Sequence, residues 1–163
     1  MSFQEALKKS AEILKEGGII LYPTDTVWGI GCDAKNEAAV EKVFALKKRA
    51  DTKSMLCLVA NVAMLERHIA QVPEAAYDII DLSEKPTTII FDQPIGVAKN
   101  LIGPDNSLGI RVAKDKFCSY LSQNIKGPLV STSANLAGQP TPKNFQEISQ
   151  EILKGVDYIV PLE

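Results

Sequence analysis

The chain has 163 residues, 45% of them hydrophobic, and a formal net charge of −2 at pH 7. That length suits one domain with a sizeable core, no apolar run approaches the roughly 20 residues of a membrane span, and the negative balance argues against a protein that coats nucleic acid. Cys32, Cys57 and Cys118 are odd in number and widely spaced, which excludes a disulfide framework and a CxxC metal site and makes a reducing cytoplasm the expected compartment.

Phe3, Ala6, Leu7, Ala11 and Leu14 recur at helical spacing, and Gly17-Gly18 is a stop signal. The apolar run Gly18 to Tyr22 reads as a buried strand that stops at Pro23. Beyond it come Thr24, Asp25, Thr26, Trp28, Gly29 and Gly31, a strand end rich in polar groups and glycine, where α/β proteins often hold a ligand. Asn36 caps a helix with the stripe Ala39, Val40, Val43, Phe44 and Leu46, ending in Lys47-Lys48-Arg49. Met55 to Ala60 reads as a strand, Asn61 caps a helix bearing Met64, Leu65 and Ile69, and Pro73 fits the first turn of another with Ala76, Ile79 and Ile80. Thr87 to Phe91 follows Pro86 as a β-branched strand, Gly103 to Asn106 is a turn, and Ser107 to Val112 is a strand. Asp115 caps a helix with Phe117, Leu121 and Ile125, and Leu129-Val130 begins a strand after the Gly127-Pro128 break. Ser131 to Pro142 reads as loop, a last helix carries Phe145, Ile148, Ile152 and Leu153, and Tyr158 to Val160 closes the chain as a strand. Interleaved helices and strands predict a single α/β domain with helices against one sheet.

Three polar clusters flank predicted strands: Thr24-Asp25-Thr26, Lys47-Lys48-Arg49 with Lys53, and Ser131 to Asn135. Arg and Lys together suit phosphate, and the hydroxyl and amide cluster suits phosphate or sugar. The plainer readings are a solvated helix C-terminus and a capped turn. Arg111 is a charge inside an apolar strand, so it faces solvent or a site. His68 is the only histidine, so any Ser-His-Asp triad would have to use it; beside Glu66 and Arg67 it reads as a surface residue. No Walker A pattern or complete dinucleotide fingerprint occurs. Trp28 suits either the core or stacking on a nucleobase.

Residues Gly18 to Gly31 resemble the signature of the YrdC-like threonylcarbamoyl-AMP synthases, Lys47-Lys48-Arg49 resembles that family's K-x-R element, and Ser133-Ala134-Asn135 its S-x-N element. The resemblance runs from about Phe3 to Val160, with the elements in the family's order. It implies a single YrdC-like domain over 1–163, an α/β fold in which a twisted mixed sheet flanked by helices surrounds a basic cavity, and a chain lacking the family's usual C-terminal end. It also implies a reaction: L-threonine, bicarbonate and ATP with Mg²⁺ give threonylcarbamoyl-AMP and pyrophosphate. A downstream transferase then carries the group to an adenosine of tRNA.

The implied roles fall on individual residues. Thr26, Arg111 and Ser133 would bind L-threonine, with Arg111 on its carboxylate. Lys47, Arg49, Lys53, Ser107, Asn135 and Lys143 would bind ATP. No catalytic side chain and no protein metal ligand is implied. The chain departs from the family pattern at Ala50, Ser54-Met55 and Thr141-Pro142-Lys143. These departures leave open a paralogue with other nucleotide chemistry, and the implied basic cavity leaves open an RNA-binding module or a contact with tRNA.

Overall fold

In the computed structural model, which describes residues 2–24, 26–48 and 55–162, side-chain caps start most of the helices. The Ser2 hydroxyl accepts the Glu5 N–H and opens α1 (Phe3–Lys15). Asn36 caps α2 (Glu37–Lys47), Asn61 caps α3 (Val62–His68) and Asp115 caps α5 (Lys116–Ile125), each accepting an N–H three residues on at 2.9–3.0 Å. Helix α4 (Glu74–Leu82) follows Pro73, which is its N-cap and lies outside the first turn.

The strands are β1 (Ile20–Pro23), β2 (Trp28–Gly31), β3 (Leu56–Val59), β4 (Ile89–Asp92), β5 (Ser107–Val112), β6 (Leu129–Ser133) and β7 (Tyr158–Ile159). They form one mixed sheet in the order β4-β5-β3-β6-β2-β1-β7. β3 with β5 and β1 with β7 are parallel, and the other neighbours are antiparallel. Alternate side chains go to opposite faces of a strand, and the core divides accordingly. Leu21, Cys57, Val59, Ile110 and Val130 pack with α2 and α3 on one face. Ile20, Tyr22, Leu58 and Leu129 pack with α1 and α5 on the other. Two apolar layers on one sheet account for the near-continuous hydrophobic strands.

Several expectations change. The Thr24 to Gly31 stretch contains a second strand, because Trp28–Gly31 turns back along β1 as a hairpin; its glycines conceal strand periodicity. β6 extends through Ser133, taking Ser131 and Thr132 out of the expected loop, because Ser133 and Thr132 pair with Gly29 and Ile30. The expected last helix divides into a 3-10 turn (Phe145–Glu147) and α6 (Gln150–Gly155), the latter capped by Ser149. His68 is only 8% exposed; its Nδ1 lies 3.1 Å from the Ile95 carbonyl oxygen, an interaction across the fold that local sequence does not show.

Candidate active site

Pro23 ends β1, and the chain then turns through Thr24 to Val27. The Thr24 hydroxyl organises that turn. It donates to the Val27 carbonyl at 2.6 Å and accepts the N–H groups of Thr26 and Val27 at 3.1 and 3.2 Å. A threonine satisfying nearby backbone groups in this way holds a tight turn. The Thr26 hydroxyl lies 3.1 Å from that of Thr24, with its side chain exposed.

Thr26 and Val27 face the ends of β5 and β6 across a pocket of about 210 Å³. Its walls include Arg111 from β5, Ser131 and Ser133 from β6, and Gly29 from β2. Drug-sized ligands occupy pockets of roughly 300–1,000 Å³, so this one suits a ligand the size of an amino acid. Arg111 is 8% exposed, and a buried guanidinium at a pocket wall is suited to a carboxylate, which it can hold through two parallel hydrogen bonds. The three residues expected to bind threonine, Thr26, Arg111 and Ser133, therefore line one cavity.

The residues expected to bind the nucleotide are more scattered. Ser107 lines a neighbouring cavity of about 560 Å³ that shares Leu56 with the small pocket; its hydroxyl donates to Asp105 at 2.6 Å. Lys143 lines a third cavity of about 580 Å³ with Trp28, Phe145 and Ile159. Trp28 is both core and wall, since its ring packs on Phe145 with centroids 5.2 Å apart. Asn135 lines none of the three. It accepts the Ser133 hydroxyl and donates to the carbonyls of Leu136 and Gln139 at 3.1 and 3.0 Å, so it ties the following loop to the pocket wall. Arg49 and Lys53, like Asp25, lie outside the described residues. Among the described residues, Arg111 is the cation of the small pocket and Lys143 that of the third, whereas the Ser107 cavity carries Asp105.

Lys47 is fully buried. It reaches β6 from the α2 side, and its ammonium donates to Thr132 Oγ1 at 2.8 Å and to the Ser133 carbonyl at 2.7 Å. Its own carbonyl accepts the Ala137 N–H. Lys47 thus braces the back of the pocket wall.

Thr24, Gly29, Leu56 and Ser131 also line the small pocket; Thr24, Gly29 and Ser131 fall in the polar stretches noted in the sequence, where they carry no individual ligand role, and Leu56 lies outside the residues read there as a site. The signal for Ser131 is its period-2 relation to Ser133 once β6 is known to continue that far.

The Sua5/YciO/YrdC family model, described as "Telomere recombination", matches residues 12–163. The chain belongs to this family. It is 34% identical over 158 residues to the threonylcarbamoyl-AMP synthase of Stenotrophomonas maltophilia, covering 94% of this chain and 84% of that relative. Among solved structures, it is similar to E. coli YciO with a TM-score of 0.82 and 25% identity, over 96% of this chain and 77% of that one. It shares the fold of P. abyssi Sua5 complexed with L-threonine, at a TM-score of 0.87 and 22% identity over 98% of this chain. This chain spans 47% of that Sua5 chain. The single sheet with helices on both faces is thus the Sua5/YciO/YrdC fold. Among the described residues no helix is long and apolar enough to cross a membrane.

Proposed function

We propose that this chain makes threonylcarbamoyl-AMP and pyrophosphate from L-threonine, bicarbonate and ATP. The observation that carries this reading is the small pocket, where Thr26, Arg111 and Ser133, distant in sequence, converge around a space for one amino acid. The name of the Stenotrophomonas relative, threonylcarbamoyl-AMP synthase, supports it.

The substrate carboxylate would rest on Arg111, leaving the amine free to attack the carbon of bicarbonate, whose hydroxyl group departs with an amine proton as water to give the carbamate. The resulting carbamate oxygen attacks the α-phosphorus of ATP, and pyrophosphate leaves. Carbamates break down in water, so a narrow pocket at the first step protects the intermediate. The transfer to phosphorus depends mainly on positioning and charge neutralisation. Arg49 and Lys53 are the cations assigned to the phosphates. The Ser107 cavity, which meets the small pocket at Leu56, is large enough for the nucleoside.

Among the described residues no group of three or more His, Cys, Asp or Glu side chains gathers around a metal position. Mg²⁺ would come in on ATP, held by phosphate oxygens and water, and would supply charge neutralisation. The product is a nucleotidyl adduct, so the enzyme would be a nucleotidyltransferase, and a separate transferase acting on tRNA would consume its product.

Pyrophosphate release should require both L-threonine and bicarbonate. Arg49→Ala and Asn135→Ala should each slow it at least about tenfold, roughly 1.4 kcal/mol of transition-state stabilisation. Turnover at the wild-type rate in either variant would remove that residue from the site.

A further inference from the structure

Asp105 and Ser107 form a polar edge of the larger cavity beside the small pocket. The turn that carries them is pinned at three points. The Gly103 N–H donates to the Ser107 carbonyl at 2.9 Å, the Asn106 N–H to the Gly103 carbonyl at 2.9 Å, and the Gln93 N–H to the Asn106 carbonyl at 3.0 Å. Asn106 has a φ of 59°, a left-handed conformation that asparagine adopts more readily than most side chains. A Cβ at Gly103 would lie 3.0 Å from Asp105 Oδ1 and 3.5 Å from Ser107 Oγ, so the bare glycine leaves that pair room to close. The Ser107 hydroxyl then donates to Asp105 Oδ1 at 2.6 Å.

That hydrogen bond sets the polarity of the edge. A serine hydroxyl has one proton, and here it goes to Asp105. Ser107 Oγ keeps only lone pairs for the cavity, and the carboxylate is acceptor-only as well. Two adjacent acceptors call for two adjacent donors on one ligand. A phosphate is disfavoured there, because it would meet the carboxylate with like charge. A pair of neighbouring hydroxyls fits, and an acidic side chain is the partner that ribose finds at dinucleotide-binding sites. Leu56, Ile90 and Pro104 add apolar wall, which suits the faces of a base.

The register of β5 places this edge at a fitting distance from the small pocket. Ser107, Gly109 and Arg111 alternate onto one face of the strand, which sets Ser107 about 13 Å from Arg111 along it. The covalent chain of the adduct, from the threonine carboxylate through carbamate and phosphate to the sugar, is of that order of length. Gly109 lies between the two, and a Cβ there would be 3.2 Å from the Thr88 methyl. Its absence keeps the floor low beneath that chain.

We propose that Asp105 is a specificity-determining residue which, with Ser107 fixed against it, accepts the 2′- and 3′-hydroxyl protons of the nucleotide's ribose. The inference rests on the synthase reading and adds the part of the nucleotide that the larger cavity selects.

The test compares ATP with 2′,3′-dideoxy-ATP, which lacks both hydroxyls, as kcat/KM for pyrophosphate release in the presence of L-threonine and bicarbonate. The wild-type chain should favour ATP by at least about tenfold, the size of one hydrogen bond to a charged group. Asp105 is exposed on its turn, so Asp105→Ala removes no core contact; it should bring the ratio close to one by slowing ATP while leaving the dideoxy analogue unchanged. Ser107→Ala should narrow the gap less. An Asp105→Ala protein that keeps the wild-type ratio, or that loses both nucleotides equally, would overturn the role of Asp105. A wild-type chain that uses the two nucleotides equally would overturn this inference and leave the synthase reading standing. A wild-type chain that releases no pyrophosphate from ATP would overturn the synthase reading, and this inference with it.

Discussion

A fully buried ammonium is costly unless its protons find partners. Lys47 meets this requirement by bonding Thr132 and the Ser133 carbonyl from behind the pocket. Its removal leaves those acceptors short of a donor, so Lys47→Ala should lower unfolding free energy by about 2–3 kcal/mol, the range for a hydrogen bond to a charged group with some lost packing. Urea denaturation measures this directly; an unchanged midpoint would mean that the lysine does not brace β6. His68 makes a second residue-scale prediction. Burial lowers its pKa below the ordinary value, with Arg67 and Lys35 acting in the same direction against its hydrogen bond to Ile95. The unfolded chain therefore holds more protons than the folded chain between the folded pKa and about 6.5. Stability from neutral His68 is present above that upper value and is lost as pH falls through the folded pKa. A His68→Gln variant should lose less stability than wild type on acidification below about pH 6.5. Parallel pH profiles of the two proteins would contradict this.

At the scale of elements, the Gly29-Ile30-Gly31 segment combines strand pairing with two separate clearances. Gly31→Ala would drive a methyl against the Tyr22 ring and the fixed Val130 carbonyl. It should cost about 1–3 kcal/mol through overpacking. Gly29→Ala meets milder contacts, including the movable Thr24 side chain, and should leave the melting temperature near wild type while weakening amino-acid binding. Thermal unfolding and calorimetry on the pair would show whether the two effects separate; equal losses of stability would contradict the division. These glycines also explain the limits of what could be read from sequence. Caps at Asn36, Asn61 and Asp115 and the runs in β1, β3 and β5 were legible because their causes are local. β2 was not, because two of its four residues carry no side chain to show alternation. The end of β6 looked like loop because Ser131 to Ser133 are polar, and only pairing with β2 and β3 makes them strand.

Across the whole molecule, a mixed seven-stranded sheet brings residues 26, 111 and 133 into one small pocket. No local pattern shows that convergence; the ordered resemblance of the motifs anticipated it, and the topology gives its physical basis. β5, β3, β6 and β2 are consecutive across the sheet, so side chains from β5 and β6 meet the bare backbone of Gly29 on β2 beside Leu56 of β3. The same resemblance assigned Lys47 to the nucleotide without showing that its ammonium faces β6, because the direction of a helix-end side chain depends on packing. The most direct test of the account is mass-spectrometric analysis of the purified chain incubated with ATP, Mg²⁺, L-threonine and bicarbonate. Threonylcarbamoyl-AMP should form together with an equal amount of pyrophosphate, and neither product should form when threonine or bicarbonate is omitted. ATP consumption indifferent to threonine, or no adduct from a chain shown to be folded, would contradict it.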